Sequence, residues 1–344
     1  MKEMTKCPNC GGNLKYNIQK RNIWCEHCGS SFPISAPTKK VKLVHQYTLD
    51  YSPELQEDNI NQYYCNSCKS THVVDGGKIS TRCPNCASVD IIQTNSNTAC
   101  PDGIIPFEIT KEKAARIFED WLKHRAFAPH DLHLLARNEK LSPVYVPVFN
   151  VNATCICNYM ATVKKVHVDN NTDTVFSTVH NVRDIHQFTI KDRAFSANSV
   201  VDQNLISKVA SVDQSKIVPY SSDYLFGYYG SDTNITIHKI IKELEKEQMH
   251  RAENTVRNEL NRKYDEIVSL NCLTKLSGIS FNYVYTPIFM NHYKYKNKDY
   301  HCYIDGTTGK VAGKSPKSAG KILAVVGSVL VALGAIALLI ASLV

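Results

Sequence analysis

The sequence predicts an α+β protein with two small cysteine-rich ribbons, a middle domain of antiparallel sheet plus helices, and one C-terminal transmembrane helix. Three observations predict it: two pairs of C-x2-C motifs, alternating and helical apolar patterns through the middle, and an uncharged C-terminal stretch. The expected division is ribbon one at 1–35, a linker at 36–58, ribbon two at 59–98, the α+β domain at 99–315 and the transmembrane helix at 322–344.

Composition excludes several classes of protein. The 344 residues are 43% hydrophobic and 21% charged, which is incompatible with a wholly disordered chain, a collagen or a polytopic transporter. A net charge of +8 permits anionic partners without requiring them. Thirteen cysteines, an odd number, exclude a fully paired intramolecular disulfide framework. The N-terminus lacks the apolar stretch of a secretory signal.

The cysteines of the two ribbons share one spacing. In each unit the second C-x2-C pair begins 18 residues after the first, and Cys-Pro-Asn-Cys opens one unit and closes the other. Two such turns can surround one ion with four thiolates, which predicts a closed, structural Zn²⁺ site in each ribbon. A unit of this size has too small a core to fold without the metal. The predicted ligands are Cys7, Cys10, Cys25 and Cys28 in the first unit, and Cys65, Cys68, Cys83 and Cys86 in the second.

Disulfides and iron are the alternatives to zinc. A reducing compartment argues against disulfides, and iron also accepts four thiolates. His27 lies inside a knuckle and is expected to be a bystander, since four cysteines already complete the site. Trp24 and Phe32 are expected to pack the small core, with stacking on a nucleic-acid base as the alternative.

The first 50 residues are basic, with eight lysines and arginines against Glu3, Glu26 and Asp50. Such a patch can contact phosphate of nucleic acid or of anionic lipid, and an ordinary solvated face is the alternative. The basic residues are Lys2, Lys6, Lys15, Lys20, Arg21, Lys39, Lys40 and Lys42.

The middle region predicts helices and an antiparallel meander. Helical apolar spacing follows Thr110, a predicted N-cap, and alternating residues rich in Val, Phe and Thr follow residue 143. The expected helices are 111–125, 130–138, 202–210 and 234–264, and the expected strands are 144–157, 161–168, 175–190, 278–295 and 299–304.

No catalytic set stands out, so no catalytic residue is predicted and an enzyme is the less favoured class. The segment 309–315 resembles a phosphate loop but has three residues between its glycines instead of four. His130 and His133 are spaced to share a metal but are more typical of a surface. Cys155 and Cys157 share one strand face and are expected to be buried apolar residues.

The uncharged residues 322–344 predict a membrane span, because 23 helical residues cover about 34 Å at about 1.5 Å each. Lys314, Lys317 and Lys321 precede the span and nothing charged follows it, which predicts a tail anchor with the N-terminal bulk in the cytoplasm. A stripe of small residues in the span makes self-association possible.

A set of blocks spread over most of the chain is distinctive, namely 101–107, 114–123, 127–129, 144–149, 218–220, 224–228, 285–288, 293–296 and 305–316. These blocks resemble a bacterial family of zinc-ribbon proteins with a C-terminal membrane anchor, often labelled TFIIB-type zinc ribbon or primosomal-helicase-like. The resemblance implies an architecture more than an activity. The helicase label does not transfer, because the chain lacks a correct phosphate loop and a second nucleotide motif. Phe149 and Phe289 depart from the family pattern, which has Trp at both positions.

Three functions follow from these features. The first is a membrane-tethered zinc-ribbon adapter or scaffold that binds a protein partner at the cytoplasmic face. The second is a nucleic-acid-binding protein at the membrane, and the third, less favoured, is an enzyme with its site in the middle domain.

Overall fold

A computed structural model of the chain describes residues 6–35, 43–53, 61–74, 82–86, 88–94, 99, 101–129, 132, 141–169 and 174–343. The fold is mixed α+β and is dominated by sheet. Its N-terminal strands are β1 (Leu14–Asn17), β2 (Asn22–Cys25), β3 (Ser31–Phe32), β4 (His45–Gln46), β5 (Asn61–Cys65), β6 (Thr71–Val74) and β7 (Ile91–Thr94).

The larger part of the chain follows. Its elements are β8 (Gly103–Ile104), α1 (Lys111–Lys123), β9 (Ser142–Asp169), β10 (Thr174–Ser196), α2 (Gln203–Val209), β11 (Val218–Pro219), β12 (Tyr229–Ser231), α3 (Ile237–Lys263), β13 (Glu266–Tyr295), β14 (Lys298–Asp305), β15 (Val311–Gly313) and α4 (Ala319–Leu343). The predicted helix at 130–138 lies almost entirely outside the described residues.

Three long strands form the spine of the sheet. β9 pairs antiparallel with β10 on one side and with β13 on the other. The prediction of separate strands at 144–157 and 161–168 is wrong, because pairing continues through Tyr159 without a turn. Alternate residues of this stretch, such as Cys157 and Tyr159, are buried, and this period of two keeps the strand in one register.

Helix α3 covers one face of the outer part of these strands. It begins at the N-cap Thr236, whose hydroxyl accepts a hydrogen bond from the Lys239 amide. Its first half packs on Phe149, Val151 and neighbours, and its second half packs on Cys157, Tyr159, Ala161 and Val163. The helix therefore follows β9 from Phe149 to Val163.

The inner part of the strands supports an aromatic core. Phe107, Tyr145 and Tyr228 pack against one another with ring centroids 4.7–5.8 Å apart. Helix α1 adds Phe118 and Trp121 to the same core. Its N-cap is Thr110, as predicted.

The two cysteine units join this structure differently. β1, β2 and β3 form a separate three-stranded sheet, whereas β5, β6 and β7 belong to the large one. β6 pairs antiparallel with β12, which in turn pairs parallel with β9. Part of the predicted linker also pairs with the body, since β4 lies beside Ser280 and Phe281 of β13.

The C-terminal helix α4 is long and apolar enough to cross a membrane. Its first 18 residues, Ala319–Ile336, have a mean hydropathy of 2.1 and none is buried against the protein. The Ser318 amide donates to the Phe127 carbonyl at 2.8 Å, and Lys321 Nζ donates to the Ala128 carbonyl at 2.7 Å. These bonds hold the start of the helix to the loop after α1.

Candidate metal centres

Tight backbone turns position the cysteines of the first unit. In the turn before β1, the Cys7 amide donates to the Gly12 carbonyl at 2.9 Å. In the turn after β2, the Cys25 amide donates to the Ser30 carbonyl at 2.9 Å. Because β1 and β2 pair directly, with Leu14 opposite Cys25, the two turns meet at the same end of the hairpin.

The sulfur atoms have the spacing that one tetrahedral ion requires. Zinc–sulfur bonds of about 2.3 Å place tetrahedral sulfurs about 3.8 Å apart. In the first unit, Sγ–Sγ is 3.6 Å for Cys7 and Cys28 and 3.5 Å for Cys10 and Cys25. All four lie within 4.8 Å of one another.

The second unit repeats this geometry. Sγ–Sγ is 3.6 Å both for Cys65 and Cys86 and for Cys68 and Cys83, and all four sulfurs again lie within 4.8 Å. All eight predicted ligand residues therefore fall into two groups that can hold a metal ion. The donor set fits a soft or borderline metal, and four sulfurs leave no ligand position for a substrate.

The two units are circular permutations of one another. In the first unit, the chain order is Cys-Pro-Asn-Cys, β1, β2, the second turn and β3. In the second, β5, a turn and β6 come first, and Cys-Pro-Asn-Cys and β7 follow. The order of the strands in space is the same in both units: β7, β5 and β6 of the second unit correspond to β1, β2 and β3 of the first. The equivalent residues are thus Cys7 with Cys83, Cys10 with Cys86, Cys25 with Cys65, and Cys28 with Cys68.

Hydrogen bonds favour a thiolate at the same position in both units. Ser30 lies 3.1 Å from Cys28 Sγ, and its bonds lower the pKa of that thiol to about 6. The bond from Cys83, followed by those from Ser70, lowers the pKa of Cys68 to about 3. A thiolate is the form of cysteine that binds metal.

His72 distinguishes the second centre and was not among the residues predicted from the sequence. Its Nε2 lies 3.2 Å from Cys83 Sγ and 2.6 Å from Ser70 Oγ. Burial lowers the pKa of His72 to about 4, so the ring is neutral and can donate from Nε2 to the sulfur. Phe32 occupies the equivalent position in the first unit, since Phe32 lies opposite Ile23 and His72 lies opposite Tyr63. Only this alignment of the permuted strands could have revealed His72.

The other residues considered from sequence belong to neither four-cysteine group. His27 is exposed, and Trp24 and Phe32 are half-buried, with Phe32 packed on the small core. Cys155 and Cys157 are buried.

The remaining candidate segments supply no additional site. His130 and His133 lie outside the described residues. The segment resembling a phosphate loop spans the end of the turn between β14 and β15, where Gly309 has φ of +77°.

Comparisons with known proteins supply a relative without an assigned activity. The chain is 22% identical over 318 residues to the uncharacterized protein YdjG of Bacillus subtilis strain 168. The aligned region covers 90% of this chain and 89% of the relative. No family model matches the sequence, and no solved structure matches the chain.

Proposed function

We propose that the protein is a membrane-tethered zinc-ribbon adapter that binds a protein partner at the cytoplasmic face. The observation that carries the proposal is the pair of closed four-cysteine groups on a sheet-rich body that ends in one apolar helix. Sites with four sulfur ligands stabilise a fold and do not bind substrate, which favours a binding role over catalysis. The family resemblance is consistent with this architecture.

Zinc is the proposed metal. It accepts four thiolates in tetrahedral geometry, and the sulfur spacings of 3.5–3.6 Å suit its bond length. Iron with four thiolates is the chemical alternative.

The proposed topology follows from the charges beside α4. Lys314, Lys317 and Lys321 precede the apolar segment, and lysines of this kind stay on the cytoplasmic side. A reducing cytoplasm would keep the eight cysteines available for metal.

Nucleic-acid binding is the second candidate, and the structure gives it less support. Two of the basic residues of the first unit are already paired, Lys15 with Glu26 at 3.0 Å and Arg21 with Glu108 at 3.6 Å. This pairing reduces the charge that is free to meet phosphate.

The test uses the full chain, solubilised from membranes under reducing conditions. We expect two zinc ions per chain and a protein partner recovered in stoichiometric amount after crosslinking in the intact membrane. A Cys7→Ser, Cys83→Ser double variant should lose both ions. Iron in place of zinc would contradict the metal assignment, and recovery of nucleic acid without a protein partner would contradict the adapter function.

A further inference from the structure

The three long strands leave one face of the sheet open. α3 covers the face that carries Cys157, Tyr159 and Ala161. On the opposite face, here called the outer face, Met160 is 50% exposed, Ile185 is 60% exposed and Leu273 is 70% exposed. Large apolar side chains clustered in this way on a soluble surface are typical of an interaction site.

The exposed side chains form two rows across the strands. Asn158 lies between Ile185 and Leu273 in one row, and Met160 lies between Arg183 and Asn271 in the next. A groove of about 510 Å³ lies over both rows and is also lined by Tyr159 and Asp184. Because side chains alternate along a strand, Tyr159 and Asp184 contribute backbone to the floor of this groove.

The groove is lined by both apolar and polar side chains. Its walls supply three apolar side chains, two amides and one guanidinium, namely Met160, Ile185, Leu273, Asn158, Asn271 and Arg183. The amides can bond to the polar backbone of a bound segment, and the guanidinium can bind a carboxylate through two parallel hydrogen bonds.

The charge on the outer face selects among possible occupants. Arg183 has no ion-pair partner among the described residues, and Lys275 adds a second cation beside Ile156. The carboxylate of Glu266 already pairs with Lys164 at 3.0 Å. Two copies stacked face to face would therefore bring unpaired cations together, which disfavours a second copy of this chain.

We propose that the outer face binds a segment of a partner protein that presents two or three apolar side chains and a carboxylate. The apolar side chains cover Met160, Ile185 and Leu273, and the carboxylate pairs with Arg183. This inference rests on the proposed adapter function and gives its partner site and the chemistry of the partner.

The test selects a displayed library of random dodecapeptides on the full chain in nanodiscs of zwitterionic lipid. We expect the enriched peptides to combine apolar residues with Asp or Glu. The Ile185→Thr, Leu273→Thr variant places at both positions a β-branched residue that suits a strand, and it should bind the enriched peptides at least tenfold more weakly. The matched control is Leu49→Thr, Val89→Thr, which changes two exposed apolar residues elsewhere and should bind normally.

Charge reversal tests the carboxylate directly. Arg183→Glu should lose the acidic peptides and enrich basic ones in a new selection. Enriched peptides without acidic residues, or unchanged binding by the threonine variant, would overturn the proposal. Dimerisation lost in that variant, or binding to vesicles containing anionic lipid in place of peptide, would assign the face to a second copy or to the membrane.

The same variants separate this inference from the adapter function. If the threonine variant retains a stoichiometric partner in the membrane, the assignment of the partner site to the outer face is wrong and the adapter function stands. If the unaltered chain has no partner in the membrane, the adapter function fails, and the peptide selection still decides what the outer face binds.

Discussion

The two cysteine units have the same local fold in opposite chain order, and they are attached to the body in different ways. The first has its own sheet and, in the described part of the chain, pairs no strand with the body: Tyr16 packs on Tyr224 and Tyr228, Phe226 packs on Leu14 and Ile23, and the Tyr16 amide donates to the Phe226 carbonyl at 2.9 Å. The second shares backbone hydrogen bonds with the large sheet through β6 and β12.

The geometry of the metal centre therefore does not depend on chain order, whereas the consequence of losing the metal depends on how each unit is attached to the body. A centre needs two turns at one end of a paired hairpin, and either turn can come first. Backbone pairing with the body, however, couples the second centre to the long strands. We therefore expect the second centre to stabilise the body and the first to stabilise only itself.

The largest effect is expected from removing one ligand in each unit. Cys83→Ser should remove the second ion, disorder β5–β7 and lower the melting temperature of the body, because structural zinc contributes about 10–16 kcal/mol to folding of small units. Cys7→Ser, the equivalent change, should release one ion and leave the main transition unchanged. Calorimetry with metal analysis measures both. Equal shifts of the main transition would refute the comparison.

A smaller effect is expected at the side-chain contact that holds the first unit. Tyr16→Ala removes a buried ring and should cost about 3–4 kcal/mol, as for other buried aromatic truncations. The first unit should detach with its metal still bound, which limited proteolysis on the C-terminal side of residue 35 will detect. Tyr16→Phe keeps the ring and is the control. Metal loss together with detachment would show that docking and metal binding are one event.

A substitution at Gly227, at the same contact, should have a smaller effect than Tyr16→Ala. Gly227 has φ of +86°, and an added Cβ would lie 2.7 Å from Lys15 Cγ. Gly227→Ala should weaken docking by about 1–2 kcal/mol, the cost of a left-handed conformation plus a flexible side-chain shift. Gly320→Ala is the control, because an added Cβ there would lie 3.9 Å from its nearest contact, Ser318 Oγ. Hydrogen exchange of β1–β3 should rise only in the first variant.

Sequence alone predicted the local features of this molecule better than the long-range ones. The four-cysteine groups followed from spacing, because ligand chemistry restricts which residues can surround an ion. The helix cap at Thr110 and the extent of α3 followed from short-range patterns. The permutation did not follow, since equal spacing of 18 residues is compatible with either order of the two turns. The pairing of β6 with β12 joins residues about 160 positions apart, and no local pattern encodes such a contact.

Likewise, sequence placed a break near residue 159 that the structure does not have. The interval between predicted strands contained Asn158, Tyr159 and Met160, whose mixed polarity interrupts a strict alternation. In the structure Asn158 and Met160 both lie on the outer face. Side chains therefore alternate between the two faces without interruption, and the mixture of polar and apolar residues belongs to the outer face. When one face of a sheet is covered and the other mixes polar with apolar residues, the sequence does not alternate strictly, and the period of two is hard to recognise.

The smallest expected effect concerns a chemical difference between the centres, His72 in place of Phe32. In the tautomer that carries its proton on Nε2, His72 donates to Cys83 Sγ across 3.2 Å, which withdraws charge from the sulfur and makes the thiolate a poorer nucleophile. His72→Phe should therefore speed alkylation of the second centre by a thiol reagent about fivefold, equivalent to about 1 kcal/mol for one hydrogen bond. The reciprocal Phe32→His should slow alkylation of the first centre. Mass spectrometry of labelled peptides follows each centre separately in one sample. If His72→Phe slows alkylation, the imidazole exposes or activates the sulfur instead of shielding it, and the two centres differ in packing and not in charge.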